Sequence, residues 1–186
     1  MKQTIWITGA TAGIGRALAL QYAAYGAKII ISARREDVLK TVVDDCEQLG
    51  ADSAHYYVMD MENPSQIEEV ARRVLAEHPD INMLVNNAGI SQRSLVRDTQ
   101  MDVYRRIMEI DFMAQIHLTK LLRPHFRSLP YSKIIVISSL TGKFSTPLRS
   151  GYAAGTNHRH TYFLITFFNP ESIKKAVKSM FCGSIA

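Results

Sequence analysis

TGATAGIG at residues 8–15 sets glycines at 9, 13 and 15, directly after one apolar run and ahead of an amphipathic one. Gly9 can make a tight turn, Gly13 lets backbone approach a ligand, and Gly15 lets a helix pack closely on the preceding strand. The free N–H groups and the positive end of the helix dipole then favour a pyrophosphate. Glycines alone also serve ordinary turns, so it is the strand before and the helix after that mark a nucleotide site. SARRED at 32–37 refines the ligand. A site for NAD offers a carboxylate here to the ribose 2′-hydroxyl, but this chain has Ser32 and Ala33, then Arg34 and Arg35. Arginine in that place can hold a 2′-phosphate, and Arg16, just after Gly15, adds a further positive charge nearby. The nucleotide expected is NADP(H).

The elements that must position these residues alternate regularly. TIWITG (4–9), KIIISA (28–33), AHYYVMD (54–60), INMLVNN (81–87) and KIIVISS (133–139) are short apolar runs with the look of buried strands. Between them the spacing predicts helices over 13–25, 36–49, 63–78 and 100–126. Gly26 and Gly50 serve as stops, Asn63-Pro64 as a capped start, and Pro124 marks the end of the last helix. Five strands alternating with four helices imply right-handed crossovers and an α/β, Rossmann-type, doubly wound parallel sheet.

Of the 186 residues, 47% are hydrophobic and 21% charged, as in an ordinary globular chain with enough length for one buried core. The net charge of +5 is uneven: residues 1–100 carry 10 Lys/Arg against 13 Asp/Glu, and residues 101–186 carry 12 against 4. The basic residues are scattered and match no nucleic-acid module, so no nucleic-acid partner is expected. Cys46 and Cys182 lack metal-ligand spacing and read as free thiols in a reducing compartment. No signal peptide opens the chain, and YFLITFF is too short to span a bilayer, so a cytoplasmic protein without membrane contact is expected.

Four features in order then resemble the short-chain dehydrogenase/reductase family: TGATAGIG at 8–15, Asp60 after the third strand, NNAG at 86–89, and SS at 138–139 followed by Tyr152. The resemblance spans residues 4–154 and implies sheet order 3-2-1-4-5. It implies a cofactor set of Gly9, Thr11, Gly13, Ile14, Gly15, Arg34, Arg35, Asp60, Met61, Asn87, Ala88 and Gly89. Asp60 would bond the adenine, while Asn86, Ala88 and Gly89 would line the cofactor and support the central strands. It also implies hydride transfer between an alcohol and a carbonyl on a small molecule. The family's tyrosine exchanges the proton at that oxygen, its serine polarises it, and its lysine lowers the tyrosine pKa and holds the nicotinamide ribose. Tyr152 and Ser139, thirteen residues apart, match the first two, with Ser138 as the neighbouring alternative. No metal is implied.

The chain departs from the family where the chemistry is finished. Thr156 holds the lysine position, and Asp111 holds that of an asparagine on the long helix. An unperturbed tyrosine titrates near pH ~10, so roughly one in a thousand is ionised at pH 7 without help from a cation. Lys143 is the substitute cation that the sequence offers, and Asp111 would oppose tyrosinate formation. The family's last strands and substrate loop are expected to be missing. Residues 1–154 therefore read as the nucleotide-binding domain and 155–186 as a divergent tail, from truncation or an altered reading frame. His158 and His160, without a third ligand, read as surface residues. Asn169-Pro170-Glu171 reads as the start of a helix bearing Ile173, Val177 and Phe181. Two readings follow: an NADP(H)-dependent oxidoreductase with weak or lost activity, or a non-catalytic nucleotide-binding or interaction protein. Self-association is expected at the exposed fifth strand.

Overall fold

The structure is a computed structural model describing residues 3–144 and 147–167, with side chains as far as Arg159. The proposed helix after Asn169 and Cys182 lie outside the described residues. Five parallel strands form one sheet: β1 (Thr4–Thr8), β2 (Lys28–Ala33), β3 (Ser53–Val58), β4 (Met83–Asn86) and β5 (Lys133–Val136). Their order is β3-β2-β1-β4-β5, so β1 lies at the centre and the neighbours change direction between β1 and β4. β1 and β4 are buried along their whole length, as a sheet covered on both faces requires. β4 and β5 are shorter than their apolar runs, because Asn87 and Ser138 already belong to the loops at the carboxyl end of the sheet.

Helices α1 (Gly13–Ala24) and α2 (Glu36–Gln48) cover one face, where Ile5, Ile7, Ile29 and Ile31 meet Ala19, Ala23, Leu39, Val42 and Cys46. Burial pushes the Cys46 thiol up to about 11, which keeps it inert as an apolar filler. On the other face, α3 (Pro64–Glu77) and α5 (Ala114–Ser128) pack over Trp6, Ile30 and Leu84. Asn63 caps α3, its Oδ1 accepting from the Gln66 N–H at 3.1 Å ahead of Pro64 at the first helical position. Gly26 and Gly50 end their helices with φ of 72° and 99°.

The long helix expected over 100–126 departs from the sequence reading in two ways. It is α4 (Met101–Met108) joined to α5 by a π-helical turn, Glu109–Met113. It also runs through Pro124 to Ser128 instead of ending there. Proline removes one backbone donor, but Leu122 and Phe126 on either side are buried, and their packing holds the helix through the gap. The polar cluster after Tyr152 is likewise helical. α6 (Ser150–Phe167) crosses the boundary expected between domain and tail. β5 is an edge strand of the described sheet, with Ile134, Ile135 and Ile137 only half-buried.

Candidate functional site

The carboxyl ends of β1, β2, β3 and β4 surround a cavity of about 720 Å³, at the point where the strand order reverses. Gly9, Thr11 and Gly13 line it from the turn after β1, Arg34 and Arg35 from the end of β2, Asp60 and Met61 from beyond β3, and Asn87, Ala88 and Gly89 from beyond β4. Ten of the twelve residues expected at the cofactor thus converge on one cavity. Ile14 and Gly15 stand behind it: Ile14 is exposed, and Gly15 is buried against the loop after β4.

Gly9 adopts φ 69°, and a Cβ there would sit 2.7 Å from Ala88 Cα, so both the turn and the close approach demand glycine. Nothing lies within 4 Å of where a Gly13 Cβ would stand, which leaves the open cradle that a diphosphate fits. The loop after β4 is tied to this turn. The Asn87 amide donates to Thr8 O at 2.9 Å and Gly9 O at 3.1 Å, and Thr8 Oγ1 accepts from the Asn87 and Ala88 N–H groups. A methyl at Gly15 would collide with the Asn87 amide nitrogen and come within 2.6 Å of Gly9 O. Gly15→Ala is therefore expected to lower stability by roughly 2–4 kcal/mol through overpacking and the lost amide bonds. Thermal unfolding of the variant checks this, and an unchanged Tm would contradict it.

Two expected neighbours of the cofactor are committed elsewhere. Arg16 pairs with Asp45 of α2 at 2.5 Å and does not line the cavity. Asn86 is fully buried, donating to Thr119 Oγ1 of α5 at 3.0 Å, so it ties the sheet to α5 and is not among the residues that line the cavity. Ser32 turns inward to accept from the Trp6 indole at 3.0 Å. Arg34 and Arg35 are exposed at the cavity rim, and Arg35 donates to Thr11 Oγ1 at 3.2 Å. No carboxylate stands among the lining residues at the end of β2.

Beyond the cavity lie the residues expected to act on substrate. Ser139 heads a short helical turn, and its Oγ accepts from Thr141 N–H at 3.3 Å and Thr141 O–H at 2.9 Å. Ser138 is exposed. Tyr152 sits in the first turn of α6, where its N–H donates to Gln92 Oε1 at 3.1 Å and the Arg149 guanidinium carbon lies 6.0 Å from its ring centre. Gln92, largely buried and sixty residues from Tyr152, fixes the start of this helix. No motif in the sequence marks it. Thr156 is fully buried; its hydroxyl donates to Tyr152 O at 2.7 Å, and its methyl packs where a Gly142 Cβ would stand. Lys143 is exposed.

The π turn carries Asp111 inward. It is wholly buried, with Oδ1 accepting from the Ile90 N–H at 2.7 Å and Oδ2 lacking a partner among the described residues. Burial pushes its carboxyl up to about 6, against the pull of the Ile90 N–H and of Arg159. The sequence reading missed Arg159. It is 3% exposed, and its Nε and Nη1 find no partner among the described residues. His158 bonds back to Ala154 O and packs on Phe112, and no group of metal-ligating side chains forms among the described residues.

The Asp111 shift has a defined sign. A carboxyl whose folded value is raised from 3.8 to about 6 favours the fold fully below pH 3.8, and that contribution is lost as pH rises through about 6. On this account, acidifying from pH 7 to 4 stabilises the chain by on the order of 2–3 kcal/mol through Asp111. His78 works in the opposite direction. Burial and His55 hold its imidazole below 6.5, so stability is lost as pH falls below that value. The expected result is that Asp111→Asn loses the acid-side gain while keeping the His78 loss. Denaturant midpoints between pH 4 and 7.5 measure the difference, and parallel profiles for the two chains would refute it.

The comparisons agree with this geometry. The family described as short chain dehydrogenase matches residues 3–157. The chain is 36% identical over 162 residues to the human dehydrogenase/reductase SDR family member 7, covering 86% of this chain and 48% of that protein. It therefore spans about half the length of the curated relatives it matches. A short-chain dehydrogenase from Streptomyces avermitilis superposes with TM-score 0.81 at 30% identity, covering 87% of this chain and 58% of that one. An alcohol dehydrogenase from the archaeon Thermococcus sibiricus, complexed with 5-hydroxy-NADP, superposes at 0.84 with 22% identity, covering 90% and 70%; at that identity it shows the fold alone. Among the described residues, no helix is long and apolar enough to cross a membrane. A cavity at the reversal point, built from the residues that the motifs single out, thus goes with a match in both sequence and fold, and the chain belongs to the short-chain dehydrogenase family.

Proposed function

We propose that this chain is an NADP(H)-dependent oxidoreductase acting between a small-molecule alcohol and its carbonyl, with weak turnover because Thr156 occupies the lysine position. The observation that carries the nucleotide choice is the end of β2: Ser32 accepts from the Trp6 indole, no carboxylate lines the cavity there, and Arg34 and Arg35 stand at its rim. A bound nicotinamide nucleotide supplies or accepts the hydride. The turn from Gly9 to Gly13 holds the diphosphate, Arg34 and Arg35 the 2′-phosphate, and Asp60 the adenine. Ser139 Oγ already accepts two bonds from Thr141, so its own proton is free to donate to a substrate oxygen. Tyr152 exchanges the proton at that oxygen. Titrating the full chain with NADPH and NADH tests this reading: tighter binding of NADPH is expected, and equal affinity for both counts against it.

A second reading, a non-catalytic nucleotide-binding or interaction protein, is favoured by the buried, uncharged Thr156 bonded to Tyr152 O. Self-association through the β5 edge and a cytoplasmic setting suit either reading. Turnover on a panel of carbonyls separates the two.

A further inference from the structure

We propose that Asp111 sets the balance between oxidised and reduced nucleotide: its carboxylate, lodged behind the β4 end of the cavity, favours the cationic oxidised nicotinamide over the neutral reduced one. The inference rests on the NADP(H) reading above and deepens it.

The charges around the cavity are divided between its two ends. Arg34, Arg35 and Asp60 are the charged residues that line it, and all three stand beyond β2 and β3. With that end taken by the adenosine half and the Gly9–Gly13 turn by the diphosphate, the nicotinamide half is left the β4 end. The lining there is Asn87, Ala88, Gly89, Ile90 and Ile110, none of them charged. Asp111 stands directly behind this wall. Its Oδ1 accepts from the Ile90 N–H at 2.7 Å and lies 3.3 Å from where a Gly89 Cβ would stand. Neutral groups hold the rest of the loop: the Asn87 amide donates to Thr8 O, Gln115 donates to Ala88 O at 2.6 Å, and Asn86 donates to Thr119.

The carboxylate is wholly buried, and its Oδ2 lacks a partner among the described residues, so little beyond the Ile90 N–H damps its charge. Away from water a charge acts with weak screening over several ångströms. The oxidised nicotinamide ring is positive and the reduced ring neutral, while the rest of the nucleotide is the same in both. Only the oxidised form gains from an anion behind the loop.

The groups that face Asp111 from neighbouring elements leave this difference intact. Arg159 of α6 pulls the Asp111 value down, and a guanidinium keeps its charge throughout the range in which a carboxyl titrates. Gly155 of α6 meets Asp111 without a charge, and the exposed His158 turns back to Ala154 O. On α4, Arg106 is paired with Glu62 at 2.8 Å, and Glu109 of the π turn itself is half-buried. Burial raises the Asp111 carboxyl to about 6, so the preference holds at neutral pH and is lost as pH falls through that value.

Calorimetric titration of the full chain with NADP+ and with NADPH gives the ratio of the two affinities. Asp111→Asn keeps the shape and an oxygen that can accept from Ile90, and removes the charge. It is expected to lower the NADP+:NADPH affinity ratio about tenfold at pH 7.5, which raises the potential of the bound two-electron couple by about 30 mV. In the parent chain the ratio is expected to fall about fivefold between pH 7.5 and 5.0, as linkage to one carboxyl requires. In Asp111→Asn it is expected to stay flat, which separates Asp111 from His158 and from the 2′-phosphate common to both nucleotides. If Asp111→Asn fails to fold, the pH dependence of the parent ratio decides alone. A ratio that moves with neither substitution nor pH overturns the inference and leaves the NADP(H) reading standing, whereas binding of neither nucleotide overturns both.

Discussion

Arg34→Asp is expected to bind NADH more tightly than NADPH, reversing the order proposed for the parent chain. Arg34 is exposed at the rim of the cavity, at the junction between β2 and α2, so its replacement leaves the core untouched. A charge-assisted bond to the 2′-phosphate contributes about 1.5–3 kcal/mol, on the order of 10–100-fold in affinity. The new carboxylate adds repulsion of that phosphate and an acceptor for the 2′-hydroxyl of NADH. Together these change the ratio of the two affinities by on the order of 10²–10³-fold. Arg35 already donates to Thr11 Oγ1, so Arg35→Ala is expected to have the smaller effect. Fluorescence titration with both nucleotides measures the ratio. A variant that keeps its preference for NADPH would remove Arg34 from the site.

The second large effect concerns proton transfer. Turnover by the chain as it stands is expected to be slow, and Tyr152→Phe to abolish it. General acid–base catalysis contributes about 10²–10⁴-fold and depends on a group whose pKa lies near the working pH. Thr156 brings no charge to that task, and its hydroxyl is bonded to the helix backbone at Tyr152 O. Thr156→Lys puts an ammonium one turn from Tyr152 and is expected to raise turnover about tenfold, a small part of the full range. Two features limit the gain. α6 lies so close to the Leu140–Gly142 turn that a Gly142 Cβ would stand 3.0 Å from the Thr156 methyl, so a longer side chain must leave towards Tyr152 or push that turn aside. Asp111 also keeps a carboxylate in the core beside the same helix. Adding Asp111→Asn is expected to raise turnover further. Single-turnover reduction of a carbonyl panel with NADPH reads all three chains. Brisk reduction by the parent chain would show that the lysine is dispensable here.

Much of the scaffold was legible because its signals are local. Each strand is a short apolar run, each helix has a periodic stripe with a glycine stop or an Asn-Pro start, and the order of runs restricts the sheet to a few topologies. TGATAGIG was readable for the same reason: the turn, the cradle and the close packing are backbone properties that glycine spacing encodes directly. The doubly wound sheet, the order 3-2-1-4-5 and the cavity at its reversal point followed from the residues alone and from the family that they resemble.

Side-chain partners were settled only by the tertiary structure, because each depends on an element distant in sequence. Arg16 is near the phosphate turn in sequence, but Asp45 of α2 neutralises it. Asn86 belongs to the NNAG motif, yet a strand sends alternate side chains to opposite faces, and this one meets Thr119. Gln92 carries no motif and still holds the first turn of the helix bearing Tyr152. The sequence nominated Lys143 as the substitute cation because it lies near Ser139 in the chain. Folding left Lys143 exposed and buried Arg159, and the π turn brought Asp111 against α6 at Gly155. Spacing along a chain determines the backbone conformations available to it; which charges face each other is decided when separate elements pack.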